Sequence, residues 1–219
     1  EMCIRDRLGG QPASGKTMAV RSLLRDARFT GQDFFVPEGD ALRIWHPDYQ
    51  TVVRDDPLQM PDVTKQASGY WLKRSVELSL SHGASLLVEG TWRDASVPQA
   101  TLEQAREKGY RTHAVLVAVP PEVSRLDMLA RYYEPLSAGE PARWTPPAAH
   151  DQAVAALEAT ATALAAARDV DEFSVITRDG RFVADALTPS PQRDASVQHS
   201  LTEARHSFWT PEARADWLN

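Results

Sequence analysis

GGQPASGKT, at residues 9–17, is the stretch of sequence that decides the fold. Gly10 and Gly15 enclose four residues, and Lys16 and Thr17 follow at once, which is the spacing of a phosphate-binding loop. Glycine adopts positive φ without strain, so successive backbone N–H groups can form a nest for anions. The pattern predicts that Lys16 reaches the β- and γ-phosphates of a nucleotide and that the Thr17 hydroxyl ligates Mg²⁺. The expected loop residues are Gly10, Gln11, Pro12, Ala13, Ser14, Gly15, Lys16 and Thr17.

Such a loop needs a strand before it and a helix behind it. Apolar residues recur at helical spacing through 20–27, so the helix is predicted without difficulty. The run before the loop, at residues 1–8, should be a buried central strand, yet Arg5, Asp6 and Arg7 interrupt it. Buried charges need a partner or water. We therefore expect that residues 1–8 are not native sequence and stand in place of the true first strand.

The composition narrows the class of protein. With 219 residues, 42% of them hydrophobic, the chain can bury a sizeable core, and its length favours one domain. A formal net charge of -6 argues against a nucleic-acid partner, because phosphate contacts need clustered Lys and Arg. The single cysteine, Cys3, excludes an internal disulfide. No apolar run is long enough to span a bilayer, so we expect a cytoplasmic protein without a membrane partner.

Candidate strands alternate with candidate helices, which is the order of a parallel sheet covered on both faces. We therefore predict an α/β fold of the P-loop NTPase type, with a parallel sheet flanked by helices and a helical C-terminal extension. The expected strands after the loop are residues 33–37, 84–90, 112–119 and 172–177, and the expected helices are residues 67–83, 97–109, 120–133 and 146–168.

The end of the chain differs in composition from the rest. LTPSPQRDAS, at residues 187–196, is rich in Pro and Ser and is interpreted as a linker. Two short helix starts follow, the second at Thr210 with Pro211 and Glu212 behind it. We predict a kinase-type domain over 1–185 and a linker with a helical, truncated tail over 186–219.

Asp40 is a candidate catalytic base. Ligands of open parallel sheets bind beyond the carboxyl ends of the strands, and Asp40 follows the strand expected at 33–37. Its carboxylate can accept the proton of an attacking hydroxyl. Aspartate is equally favoured as an N-cap, here of a short helix starting at ALRIW. The residues themselves leave both roles open.

Glu89 closes the strand expected at 84–90. A carboxylate at the end of a central apolar strand is costly unless it is paired or coordinating. Its alternative role is that of a structural partner for Arg93 or another basic residue. Both interpretations predict a charge close to this carboxylate.

Two arginines are candidates for binding phosphate. Arg131 lies in LARYYE and Arg143 in EPARW. Guanidinium groups meet the charge that phosphoryl transfer spreads over the equatorial oxygens. An isolated arginine is commonly a solvated charge, so neither is assigned on its own. The pair His150 and Asp151, at a helix start, is more typical of capping than of catalysis.

Six motifs together resemble the zeta toxin family, the kinase toxins of toxin–antitoxin systems, which phosphorylate UDP-N-acetylglucosamine with ATP. Their order along the chain, rather than any single one beyond the loop, carries the resemblance, which covers about residues 9–170. The motifs are GGQPASGKT, GDALRIWHPDY, LLVEGTWRDASVPQAT, KGYRTHAVLVAVPPEVSRL, LARYYE and ARWTPPAAHD.

The resemblance implies a role for each candidate. Lys16 and Thr17 would serve ATP and Mg²⁺, and Asp40 would be the base that takes the proton from the 3′-hydroxyl of the amino sugar. Arg131 and Arg143 match the pair that clamps the ATP phosphates. An antitoxin partner is implied by the resemblance alone. The positions that match the sugar-nucleotide pocket are Glu89, Thr91, Arg93 and Thr101.

One position departs from the family pattern. The better-known members carry an acidic residue on the helix before the central strand, where it touches the substrate, and Lys73 fills that place here. The acceptor is therefore UDP-N-acetylglucosamine or another nucleotide sugar. Two further functions stay open, namely a P-loop phosphotransferase for another metabolite or an antibiotic, and a non-catalytic nucleotide-binding module that acts through a protein partner.

Overall fold

The structure, a computed structural model, describes residues 4–25, 33–140 and 142–218, and in them a six-stranded sheet. The strand order is β2-β3-β1-β4-β5-β6, in which the first five strands are parallel and β6 is antiparallel to β5. This confirms the predicted α/β fold. The strands are β1 (Ile4–Gly9), β2 (Phe34–Phe35), β3 (Ser85–Gly90), β4 (Arg111–Ala118), β5 (Glu172–Thr177) and β6 (Phe182–Leu187).

The helices follow the predicted alternation. The helix expected at residues 67–83 begins earlier, at Met60. Pro61 falls in its first turn, where the missing N–H of proline removes no helical hydrogen bond. The bounds are α1 (Lys16–Leu24), a 3-10 helix (Ala41–Trp45), α2 (Tyr49–Asp55), α3 (Met60–Ser81), α4 (Ser96–Glu107), α5 (Pro121–Ser137), α6 (Pro147–Ala166), α7 (Arg193–Ser207) and α8 (Pro211–Leu218).

The core lies on both faces of the sheet, because alternate residues of a strand point to opposite sides. In β4, Val115 and Val117 pack with Leu23 of α1 on one face. Ala114 and Leu116 pack on the other face with side chains of α4, α6 and α7. Burial on both faces explains why residues 114–118 of this strand are all apolar.

The charged first strand occupies the centre of this sheet, between β3 and β4. Asp6 is fully buried and lies 3.0 Å from Nδ1 of His113 on β4, so it has the partner that a buried carboxylate requires. Arg7 is 5% exposed, and burial lowers its pKa to about 10. The side chain of Arg5 lies outside the described part of the chain. The non-native origin of residues 1–8 stays a prediction.

Gly9 ends β1 beneath an indole ring. A Cβ built on Gly9 would lie 1.9 Å from a ring atom of Trp92, so only glycine fits there. Trp92 is 2% exposed, holds a φ of 51°, and meets Phe173 edge to face at 6.1 Å. The close approach anchors the segment after β3 directly over the start of the phosphate loop.

Gly9→Ala is expected to destabilise the protein by about 2 kcal/mol, because the methyl group and the buried indole cannot share the same space. The thermal midpoint measures this, with Gly69→Ala as the control. Gly69 lies in α3, and an added Cβ there meets nothing within 4 Å. An unchanged midpoint for Gly9→Ala would contradict the packing of Trp92 on β1.

The C-terminal region contributes an edge strand, β6, to the sheet and a helix, α7, that packs against it. α7 begins at Arg193, inside the stretch interpreted as a linker, and it packs against α6, β5 and β6. Its Val197 and Leu201 belong to the core. The linker interpretation therefore holds only for the residues between β6 and α7. The division of the chain at residue 185 stays a prediction.

Within the described ranges, no helix is both long enough and apolar enough to cross a bilayer. The predicted cytoplasmic location stays an expectation.

Candidate active site

The phosphate loop joins β1 to α1, as the sequence pattern predicts. Gly15 has a φ of 91° and Ala13 a φ of 59°, so the chain turns through left-handed conformations on its way into the helix. The Lys16 ammonium folds back over the loop and donates to the carbonyl oxygens of Gly10 and Gln11, at 2.8 Å each. The lysine cation is therefore held against the backbone of the loop.

The Lys16 ammonium loses its proton at a pH much closer to neutral than an ordinary lysine does. Its pKa is lowered to about 8, chiefly by burial; the carboxylate of Glu89 opposes this shift, and the positive charges of Arg143 and Arg131 add to it. A triphosphate brought to this ammonium favours the protonated form and raises the pKa again. Nucleotide binding and protonation of Lys16 are therefore linked.

We expect ATP binding to take up protons at pH 8.5, where a lysine with a pKa of about 8 is largely neutral before ATP arrives. At pH 6.5 Lys16 is already charged, so the uptake there should be smaller. Titration calorimetry in buffers of different ionisation enthalpy measures the number of protons. No uptake at pH 8.5 would show that Lys16 keeps its charge in the free protein.

A buried hydrogen-bonded chain supports the loop from behind. Gln11 is fully buried and donates to the Val119 carbonyl at 3.0 Å and to the Ser124 hydroxyl at 3.1 Å. Ser124 also lies 2.9 Å from Nε2 of His150, whose Nδ1 lies 3.1 Å from Asp151. Gln11 and His150 thus tie the loop to the starts of α5 and α6, and they do not face the cavity.

Asp40 stands at the N-cap position of the 3-10 helix, yet its side chain makes no capping hydrogen bond. One carboxylate oxygen instead accepts from Nε of Arg43 at 2.8 Å, and the other accepts from Nη2 of Arg143. Arg43 is held in turn by the Pro61 carbonyl and the Thr64 hydroxyl. The carboxylate is therefore oriented by two guanidinium groups rather than used as a helix cap.

Glu89 lies at the end of β3, next to the loop. Burial raises its pKa, and Lys16 is the cation that opposes this shift most strongly. Its main charge partner is thus the loop lysine, which is one of the other basic residues that the alternative interpretation allowed besides Arg93. Thr91 and Arg93 follow on the segment that Trp92 anchors.

These residues surround one cavity of about 780 Å³, a volume typical of small-molecule sites. The cavity lies beyond the carboxyl ends of the strands, as expected for a parallel sheet. Of the predicted site residues, those that line it are Pro12, Ala13, Ser14, Gly15, Lys16, Thr17, Asp40, Glu89, Thr91, Arg93, Arg131 and Arg143.

Four of the positions singled out in the sequence lie outside the cavity lining. Thr101 is on α4, where its hydroxyl donates to the Val97 carbonyl at 2.7 Å. Lys73 is on α3 with its side chain 71% exposed and 3.9 Å from Glu77, while the neighbouring Leu72 faces the cavity. Gly10 and Gln11 contribute backbone to the loop and do not line the cavity.

Sequence reasoning passed over other side chains at the site. Arg43 lies inside the motif GDALRIWHPDY and was given no role, although it holds Asp40. Arg178, in the turn between β5 and β6, also lines the cavity. The dipeptide Asp179-Gly180 signals such a hairpin turn and would have placed Arg178 at the carboxyl end of β5.

Comparison with known proteins shows the family to which the chain belongs. The Zeta toxin family profile matches residues 6–186. Toxin PezT of Streptococcus pneumoniae serotype 4 (strain ATCC BAA-334 / TIGR4) is 31% identical over 205 residues, covering 93% of this chain and 78% of that protein. The chain belongs to the zeta toxin family. Another relative, toxin zeta of Enterococcus hirae, is 34% identical over 201 residues, covering 89% of this chain and 68% of that protein.

Solved structures related to this zeta toxin family chain show the same fold. A structure of the PezAT chromosomal toxin–antitoxin system of Streptococcus pneumoniae superposes with a TM-score of 0.78 at 28% identity, over 98% of this chain and 83% of that one. The structure of AvrRxo1-ORF1:-ORF2 with ATP superposes with a TM-score of 0.57 at 15% identity, over 93% of this chain and 77% of that one, which shows likeness of fold alone.

Proposed function

We propose that this chain is an ATP-dependent kinase that phosphorylates the amino-sugar 3′-hydroxyl of UDP-N-acetylglucosamine or a related nucleotide sugar. In this proposal it acts as the toxin of a toxin–antitoxin system. Membership of the zeta toxin family supports the kinase class, and the shape and charge of the cavity support the chemistry.

One observation carries the proposal. The Asp40 carboxylate and the Lys16 ammonium line the same cavity, although they come from different connections of the sheet. Asp40 is held by arginines and does not cap its helix. A proton acceptor thus faces a phosphate-binding loop across a space that a sugar and a triphosphate can share.

In the reaction we propose, the oxygen of the sugar hydroxyl attacks the γ-phosphorus of ATP while Asp40 takes the proton of that hydroxyl. A new P–O bond forms, the bond to the β-phosphate oxygen breaks, and ADP leaves. Lys16, Arg131 and Arg143 donate to the phosphate oxygens on which negative charge is spread in the transition state. Glu89 and Arg93 are placed to orient the acceptor.

The site also suits Mg²⁺. The Thr17 hydroxyl and the Glu89 carboxylate are hard oxygen donors that face the cavity, as a Mg²⁺ ion bound mainly through nucleotide phosphates requires. In the described part of the chain no cluster of His, Cys, Asp and Glu suffices to hold a metal alone. When bound, the ion would neutralise charge on the phosphates.

We keep UDP-N-acetylglucosamine as a proposed acceptor although Lys73 departs from the family pattern. This side chain is exposed and outside the cavity lining, so its charge does not argue against that nucleotide sugar. UDP-N-acetylglucosamine is therefore the first acceptor to test.

We also propose an antitoxin protein as partner. The support is similarity to a solved toxin–antitoxin system, PezAT, over nearly the whole chain. A cognate antitoxin should suppress the kinase reaction when the two proteins are mixed.

The decisive experiment is mass spectrometry of UDP-N-acetylglucosamine incubated with the protein, ATP and Mg²⁺. We expect a product heavier by one phosphate group. A panel of metabolites and antibiotics under the same conditions distinguishes the alternative of another small-molecule phosphotransferase. ATP binding without transfer to any acceptor would favour the alternative of a non-catalytic nucleotide-binding module.

A further inference from the structure

Arg178 lies against the phosphate loop, in the turn between β5 and β6. A Cβ built on Gly15 would be 3.0 Å from the Cβ of Arg178 and 3.2 Å from its carbonyl oxygen. The arginine lines the same cavity as Pro12 and Ala13 of the loop. Its side chain is therefore close to anything that the loop binds.

An ion pair holds the guanidinium of Arg178. Its Nη2 lies 2.5 Å from Oδ2 of Asp127 on α5, and both side chains are about one-third exposed. A guanidinium paired with a carboxylate has part of its charge compensated, yet it keeps a flat face that stacks on rings. This arrangement suits a nucleobase better than a phosphate.

The strand order gives the direction in which a nucleotide must lie. Asp40 and Glu89, at the reacting end, follow β2 and β3, on one side of β1. Arg178 follows β5, on the other side of β1 and beyond β4. A triphosphate whose γ-phosphate faces Asp40 therefore leaves the loop towards β4 and β5, and its nucleoside extends towards Arg178.

We propose that Arg178 forms the binding surface for the base of the donor nucleotide and that Asp127 is its positioning residue. This rests on the proposed function only in that ATP is the phosphate donor. In this proposal Arg131 and Arg143 bind the phosphates, and Arg178 binds the base of the nucleoside.

The test compares two ligands, ATP and inorganic tripolyphosphate, which shares the phosphate chain and lacks the nucleoside. Titration calorimetry with Mg²⁺ is done on the full chain. Arg178→Ala and Arg178→Lys should each weaken ATP binding by about tenfold, because both remove the flat face. Tripolyphosphate should bind both variants as it binds the wild type, which also reports that the loop is intact.

The control is Arg181→Ala, in the same hairpin, where an exposed side chain lies outside the cavity lining. It should leave the binding of both ligands unchanged. Three results would overturn the proposal: equal weakening of ATP and tripolyphosphate, no weakening of either, or normal ATP binding by Arg178→Lys. A wild type that binds ATP in this way but transfers no phosphate would refute only the proposed kinase function.

Discussion

Asp40→Asn is expected to slow phosphate transfer to UDP-N-acetylglucosamine by about 10²- to 10⁴-fold, the range for loss of a general base. Asparagine has almost the same shape and can still accept from Arg43, but it cannot take the proton of the sugar hydroxyl. The phosphate loop is untouched, so ATP affinity should not fall. Transfer of labelled phosphate measures the rate, and calorimetry measures ATP binding.

The matched control is Asp48→Asn, in the same connection, where the side chain is 69% exposed and outside the cavity lining. Its transfer rate should equal that of the wild type. An Asp40→Asn variant with undiminished turnover would remove Asp40 from the mechanism. A variant that loses ATP binding as well would show that Asp40 shapes the loop rather than the acceptor site.

Arg193→Ala is expected to destabilise the protein by about 4 kcal/mol, because a buried guanidinium makes strong hydrogen bonds and its loss leaves buried carbonyl oxygens without donors. Arg193 is only 3% exposed. For a chain of this size, that loss lowers the thermal midpoint by roughly 10 °C. Its three acceptors, at 2.6 to 2.8 Å, are the carbonyl oxygens of Ala165, Ala167 and Val170, at the end of α6.

Arg168→Ala serves as the control for this prediction. Arg168 follows α6 in the same segment, but its side chain is exposed, so its removal should change stability by no more than about 0.5 kcal/mol. Thermal denaturation followed by circular dichroism measures both variants. Equal midpoints for Arg193→Ala and the wild type would mean that α7 is not fastened to the end of α6, as a linker interpretation of residues 187–196 requires.

Much of the fold was predictable because it depends on local rules. The glycine and lysine spacing at residues 9–17 predicted the loop, and the apolar run at 112–119 predicted a strand buried on both faces, observed as β4. Propensity failed at the C-terminus. Pro and Ser dominate residues 187–191. Most residues of α7 are polar, so apolar periodicity did not reveal that Val197 and Leu201 are buried.

The site was predictable to a different degree. Family motifs pointed to Asp40, Glu89, Arg131 and Arg143, and all four line the cavity. The same reasoning selected Thr101, which faces its own helix backbone. A motif match identifies a residue type at a position, whereas the direction of a side chain depends on how its helix packs.

The amino-acid sequence alone was sufficient for the loop and for the alternation of strands and helices, because both depend on residues close together in the chain. It was sufficient for the family because the order of the motifs along the chain is itself a property of the sequence. The tertiary structure alone decided that Arg143 meets Asp40 across 103 positions, and that Arg178 reaches the loop from the far side of the sheet. Contacts of this kind depend on the order in which strands join the sheet. That order results from burying both faces at once, which no local spacing specifies.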